Sequence, residues 1–494
     1  MKNYMKLKNY NILEILLILS PIFDILNSVI KKEITSDISI GIVGRGMFLA
    51  FLIVYMLFKS NYKYKKISII YLICIFVYII AFIANIYFNK GINFEKYEFS
   101  ELIKAFYFPI CIVALLNYIE TEKYYIDTKL LFGVGIGYIT LLFIPFILRI
   151  GYGSYTGERV GYIGFFYAAN EISSIYAILF TFIIFSYEKI KNKVIYFGIV
   201  IYCLYTIMQM GTKIPAIGAI VSIFAFAIIK MIQNADKGKK VYLKFPAIGL
   251  VLTIICLTMI VFSPIYENFD IYKKYLISTR SDTIPVIEEN IEVKKENNLN
   301  PSEKIEESNI EQNEVIGENT KAIEENTIED EAIIKNNNSI QENTNEENLT
   351  GDELATIIHS GRINEKNRIK RIFTNSSIVN KILGLGKINV KDNSYNLSEI
   401  DYYDILFNFG YLGFLIYFIP VIVLCYFILK RIHLVKIKKI IKEDKICSYI
   451  ISILIAFSMC AISGHTLVAP AVSIFIAIIL LGTNQELKKA EGKE

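Results

Sequence analysis

About twelve long apolar runs constrain this chain more than anything else in its sequence. Stretches such as 67–88, 245–262 and 405–428 approach or exceed the ~20 residues that a helix needs to cross roughly 30 Å of hydrocarbon. Inside lipid only helices and closed barrels satisfy every backbone donor and acceptor. The runs are continuous in Ile, Leu and Phe, without the alternation of a barrel strand, so helices are expected. They fall near residues 10–30, 38–58, 67–88, 103–118, 130–148, 172–185, 194–210, 214–229, 245–262, 405–428, 446–462 and 469–481. Several are short, so the seventh and eighth could form one broken pair and the last two one kinked hairpin. The first carries Asp24 at its centre and lacks a small-residue cleavage site, and is read as a retained span.

The fold class expected is an all-α polytopic membrane protein with about 12 transmembrane helices. Lys/Arg distribution tests the numbering, because alternate connections should be cytoplasmic and basic. Lys59, Lys63, Lys65 and Lys66, then Lys189, Lys191 and Lys193, then Lys237, Lys239, Lys240 and Lys244, then the run from Lys430 to Lys445 all fall on one side. That side also takes both termini. The chain then divides into spans one to nine (1–264), a large outward loop (265–403), and spans ten to twelve with a cytoplasmic tail (404–494). The net charge of +5 reports orientation in a bacterial cytoplasmic membrane, and no nucleic-acid partner is implied. All seven cysteines lie in expected spans, so no exported disulfide framework is encoded.

The outward loop has three parts. From about 281 to 352 it is low-complexity Glu, Asn, Ile, Thr and Lys, with no periodic apolar face to offset ordering entropy, and reads as a disordered acidic insertion. A docking tail is the alternative. Basic segments flank it: ENFDIYKKYLISTR, ending at Arg280, and IIHSGRINEKNRIKRIF, with Arg362, Arg368 and Arg371. A Gly-x-Gly turn at Gly384 and Gly386 follows, and then SEIDYYD brings Glu399, Asp401 and Asp404 to the tenth span.

Three acids where a helix meets the bilayer are costly unless paired, hydrated or functional. On a helix Asp401 and Asp404 would share a face, and first-turn acids also suit the helix dipole. One reading is therefore capping by Ser398 with Glu399 and Asp401 in the first turn; the other is a catalytic or acceptor-binding carboxylate. Arg159 and Arg362 stand in outward loops among small residues, and a guanidinium grips phosphate oxygens in two places. Each could equally be an interfacial anchor. His465, in the SGHTLVAP turn, is a candidate ligand or base, or a hydrogen-bonded structural residue. Lys104 and Lys213 fall near the outer face, and Arg45 is expected to pair internally with Asp24. No metal-ligand spacing and no phosphate-cradling nucleotide loop is present, so neither a metal nor any other cofactor is expected.

The motifs in order are an Arg loop running from Arg159 to Asn170, GTK, SGR at Ser360–Arg362, GLG at Gly384–Gly386, EIDYYD, FGYLG and SGH. This order resembles the O-antigen ligase/polymerase family over most of the chain, in its Gram-positive branch of capsule, exopolysaccharide and cell-wall polysaccharide polymerases. The resemblance implies a metal-independent, inverting glycosyltransferase acting on an undecaprenyl-diphosphate-linked glycan donor and a glycan acceptor, within the lipid bilayer and among polysaccharide-assembly proteins. It maps the family's two diphosphate-binding arginines onto Arg159 and Arg362. The ligase branch carries a His-Asn as base where this chain has Glu399-Ile400-Asp401, so Glu399 and Asp401 are the substitute catalytic candidates. Arg280, Arg368, Lys213, Asp404 and His465 complete the expected substrate contacts. The main alternative is a lipid-linked oligosaccharide flippase or other transporter, favoured by the intramembrane charges but lacking a visible repeat between halves. A sensor presenting the acidic segment would leave the Arg/acid constellation unexplained.

Overall fold

The computed structural model describes residues 11–33, 40–90, 96–155, 160–281, 362–386, 398–462 and 464–492. Arg159 and nearly all of the expected insertion lie outside them. The chain forms two compact units: Met1–Tyr275 with Thr356–Glu494, and Leu276–Ala355. The site lies in the first unit. Of the second, only the last turns of one helix are described.

The elements in order are α1 (Ile12–Glu33), α2 (Ile40–Phe58), α3 (Lys65–Lys90), α4 (Lys96–Glu122), α5 (Thr128–Leu148), a short hairpin of β1 (Tyr152–Gly153) and β2 (Tyr162–Gly164), α6 (Ala169–Ile184), α7 (Lys193–Met208), α8 (Lys213–Gln233), α9 (Lys239–Val261), α10 (Pro264–Ser281), α11 (Arg362–Asn375), α12 (Ile378–Leu383), α13 (Asp401–Val435), α14 (Ile437–Ile441), α15 (Asp444–Ile462) and α16 (Pro470–Glu491). Among the described residues nine helices are long and apolar enough to cross a membrane, and three shorter apolar helices accompany them. Each expected span falls on one of these, since the length of an apolar run is a local property. The seventh and eighth spans are separate helices, and so are the last two.

Burial sorts the helices. The apolar window of α16 is 94% buried, against 28% for α3 and α9, so α16 is the axis and the other two are peripheral. Accordingly α16 is the least apolar of the nine, carrying Ser473, Thr483, Asn484 and Glu486 inside the protein. A helix surrounded by other helices gains from close backbone approach and polar cross-links rather than from bulk hydrophobicity. The pairing of α6 with α8 shows this: a Cβ at Gly218 would lie 2.5 Å from that of Ala177. The buried ion pair of Asp24 on α1 with Arg45 on α2 is as expected, with Tyr138 of α5 donating a 2.7 Å hydrogen bond to the same carboxylate.

Two expectations need correction. The tenth span begins at Asp401, so a boundary at 403/404 cuts through the first turn of α13. Ser398 is not its cap either: the N-cap is Ile400, without a side-chain cap. The direction is reversed, as Asp404 accepts hydrogen bonds from the amide and hydroxyl of Ser398, at 2.8 and 2.7 Å.

Candidate functional site

The tenth span is broken. Gly410 has φ +66° and ψ −177° inside α13, a conformation open to glycine alone among ordinary residues, and it splits the helix into a short half ending at Phe409 and a long half. A break in hydrocarbon frees carbonyls that need new donors. Here Leu385 N and Gly386 N donate to the carbonyls of Phe407 and Asn408, at 3.1 and 3.0 Å, while Tyr78 of α3 donates to Phe409 O at 2.6 Å. The GLG segment therefore splices itself onto the broken helix. The approach is close enough that a Cβ at Gly384 would fall 2.1 Å from Asn408 O. Two motifs 26 residues apart in sequence, Gly384 and Gly410, form one structural joint.

The acidic segment before α13 is tied to the turn between α15 and α16. Asp401 Oδ1 accepts the His465 amide at 2.8 Å, and Oδ2 accepts those of Thr466 and Leu467 at 2.8 and 2.7 Å. Both carboxylate oxygens are thus occupied in a fully buried position. A Cβ at Gly464 would lie 2.6 Å from the Glu399 Cα, so the two strands of chain touch. On either side of this contact Glu399 (φ +52°) and His465 (φ +64°) take the left-handed conformation that non-glycine residues avoid. Arg362, the first residue of α11, donates from Nε and Nη2 to Glu399 Oε2, both at 2.8 Å, and from Nη1 to Ile462 O at 2.9 Å. The Arg362 side chain is 14% exposed and that of Glu399 43%, so the carboxylate keeps an open side.

Beside this tied segment lies a polar cleft of about 390 Å³. Its charged lining comes from four helices: Asp24 and Lys31 of α1, Arg45 of α2, Glu101 and Lys104 of α4, and Glu171 of α6. His465 and the first residues of α16 close it. A smaller cavity, of about 40 Å³, shares Glu101, His465 and Val468 with the cleft and reaches Asp404, Asn408 and Gly386 at the helix break. Lys104 is paired with Glu101 at 2.7 Å, Arg45 with Asp24, and the Lys31 ammonium sits 4.7 Å over the Tyr167 ring. Two helices, α6 and α16, begin at the cleft, and neither N-cap, Ala168 or Ala469, supplies a side-chain hydrogen bond. The helix dipoles favour an anion there, although α16 opens with Pro470 and its Val472 and Ser473 amides already donate to Ala469 O. No group of three or more His, Cys, Asp or Glu able to hold a metal ion occurs among the described residues.

A family described as O-antigen ligase like membrane protein has a model that matches residues 6–489. The chain belongs to that family. Searches among curated proteins and solved structures found no match. As an O-antigen ligase like protein it is a multi-pass membrane protein of glycan ligation or polymerisation.

The structure draws the expected site residues of this O-antigen ligase like chain into three groups. Asp404 and His465 line the cavities. Arg362, Glu399 and Asp401 are assembled with the His465 turn, but their side chains bond to each other and to backbone and line neither cavity. Arg368 is paired with Glu365 at 2.9 Å on α11, and Lys213 opens α8; neither lines the cleft. Arg280 is placed only as a residue of α10. The loop carrying Arg159 is anchored immediately after it, where Asn268 of α10 accepts the Val160 amide at 2.8 Å and donates to Val160 O and Gly211 O at 2.6 and 3.0 Å. Sequence reasoning missed Lys31, Glu101 and Glu171. The signal was faint: Glu171 stands in the FYAANE motif, and Glu101 precedes the noticed Lys104 by three residues, one helical turn.

Proposed function

We propose that the chain is a glycosyltransferase that ligates or polymerises undecaprenyl-diphosphate-linked oligosaccharide repeats on the outer face of the bacterial cytoplasmic membrane, in cell-surface polysaccharide assembly. The observation that carries this reading is the cleft: a chamber inside a bundle of apolar helices, lined by Lys31, Arg45 and Lys104 together with Asp24, Glu101 and Glu171, onto which the N-termini of α6 and α16 open. Intramembrane charge is expensive and is retained where it meets a ligand. Lys31 and the helix N-termini suit the diphosphate, and the resemblance adds Arg159 and Arg362 as arginine contacts. In this reading the diphosphate competes with Glu399 for Arg362, since both are anions seeking the same guanidinium edge. The cations stabilise charge developing on the leaving group, so no metal is required for that step. Attack of an acceptor hydroxyl on C1 from the opposite face inverts the anomeric configuration, with a carboxylate as base.

The test is the lipid-linked glycan profile of cells lacking the protein. Accumulation of single repeats identifies a polymerase, and accumulation of long chains a ligase. An unchanged profile overturns the reading. The break at Gly410 favours a second one, because discontinuous helices around a midplane site are typical of transporters. Complete repeats trapped on the cytoplasmic face would establish it.

A further inference from the structure

We propose that Glu171 is the catalytic base that takes the proton of the acceptor hydroxyl, an assignment that rests on the glycosyltransferase reading. Three carboxylates line the cleft, and two of them are occupied. Asp24 is held by Arg45 and Tyr138, and Glu101 by Lys104. Glu171 has no hydrogen bond or ion pair among the described residues, although Asp24, His465, Arg45 and Lys104 all lie within its electrostatic reach. A half-buried carboxylate that lines a cleft beside other charges and has no partner among the described residues is of the kind that concentrates where a ligand completes it.

Glu171 is also well aimed. It sits in the first turn of α6, and the next turn is pinned on two sides: Ser173 hydrogen-bonds Thr212 at the start of α8 at 2.6 Å, and Ser174 hydrogen-bonds Thr466 beside His465 at 3.4 Å. A base mounted on a cross-linked helix end keeps its geometry without reorganisation. Glu399 and Asp401 lack this freedom, the first held by Arg362 and the second by three amides. In the reaction the acceptor oxygen bonds to C1 while the bond from C1 to the diphosphate oxygen breaks. The electron pair of that bond leaves on the diphosphate, and the acceptor's proton passes to the Glu171 carboxylate. A first-turn acid serving only the helix dipole would contribute to stability but not to turnover.

The experiment uses the full chain in lipid nanodiscs, with lipid-linked glycan extracted from cells lacking the protein as the probe. Glu171→Gln is expected to lower turnover by at least about 100-fold, the lower range for general-base catalysis, with donor binding and unfolding temperature unchanged. Added formate should restore turnover to Glu171→Ala by supplying the missing base. The pH profile is the second readout: wild-type turnover should fall on the acid side, and the Gln variant should lose that limb while Lys31, Asp24, Arg45, Glu101, Lys104 and His465 remain. A loss smaller than about 100-fold overturns the assignment, and so does a loss of turnover that follows donor affinity or fold and is not rescued by formate. Failure of the wild-type protein to transfer this glycan defeats the glycosyltransferase reading itself, and the assignment with it.

Discussion

The segment before α13 and the neighbouring cleft hold the same kinds of residue and use them differently. Before α13, Asp401 and Asp404 spend their oxygens on backbone amides and the Ser398 hydroxyl, and Glu399 meets Arg362. In the cleft, among the described residues, Glu171 has no hydrogen bond or ion pair, and Lys31 lies over the Tyr167 ring. A buried carboxylate that collects amide donors becomes a clamp, because each donor it abandons would be left unsatisfied. One that lines a cleft without such donors is bound to no amide it would have to abandon. What separates the two is whether the chain itself has already provided the partner.

The strongest challenge to this contrast is Asp401→Ala, which strips three amides, two of them in buried contacts, of their acceptor. The expected result is a loss of at least about 3 kcal/mol, seen as a lower unfolding temperature and poor membrane yield. Normal stability with lost transfer would move Asp401 from clamp to catalyst. Next is Arg362→Lys, expected to reduce transfer by about 10–100-fold, because an ammonium cannot reproduce the forked contact made by Nε and Nη2. Glu399→Gln sharpens the same point: if the diphosphate competes with Glu399, donor should bind more tightly to this variant, as measured by titration. Weaker binding would mean that the carboxylate orders Arg362 for the donor. Lys31→Met should raise the KM for donor by roughly tenfold with kcat less affected, as for a removed charge-assisted contact. An unchanged KM would place the diphosphate outside the cleft. The smallest effect is expected when residues 281–352 are replaced by a short Gly/Ser linker. Their composition cannot build a core and loop length costs little closure entropy, so polymer output should stay near wild type.

Much of the architecture was legible because it depends on local properties. Each apolar run expected to span proved to lie on an apolar helix, and an arginine inside one needed an anion, which pointed from Arg45 to Asp24. The GLG and FGYLG motifs were visible, but not that they meet: their joint depends on Gly384 and Gly410 approaching within contact distance from two different segments. Glu171 was given no role from the sequence. Nothing in FYAANE reveals that α1, α2 and α4 surround that residue with Lys31, Arg45 and Lys104.

By itself, then, the sequence determined an all-α membrane protein and its family. Hydropathy and motif order are carried along the chain and need no partner to be read. Which acid clamps and which stays free was decided by the tertiary structure alone. That outcome depends on contacts such as Asp401 with the 465–467 turn, between residues 64 or more positions apart, and on the absence of any such contact at Glu171 among the described residues. A carboxylate's chemistry is set by the donors within about 3 Å of it, and spacing along the chain does not encode those.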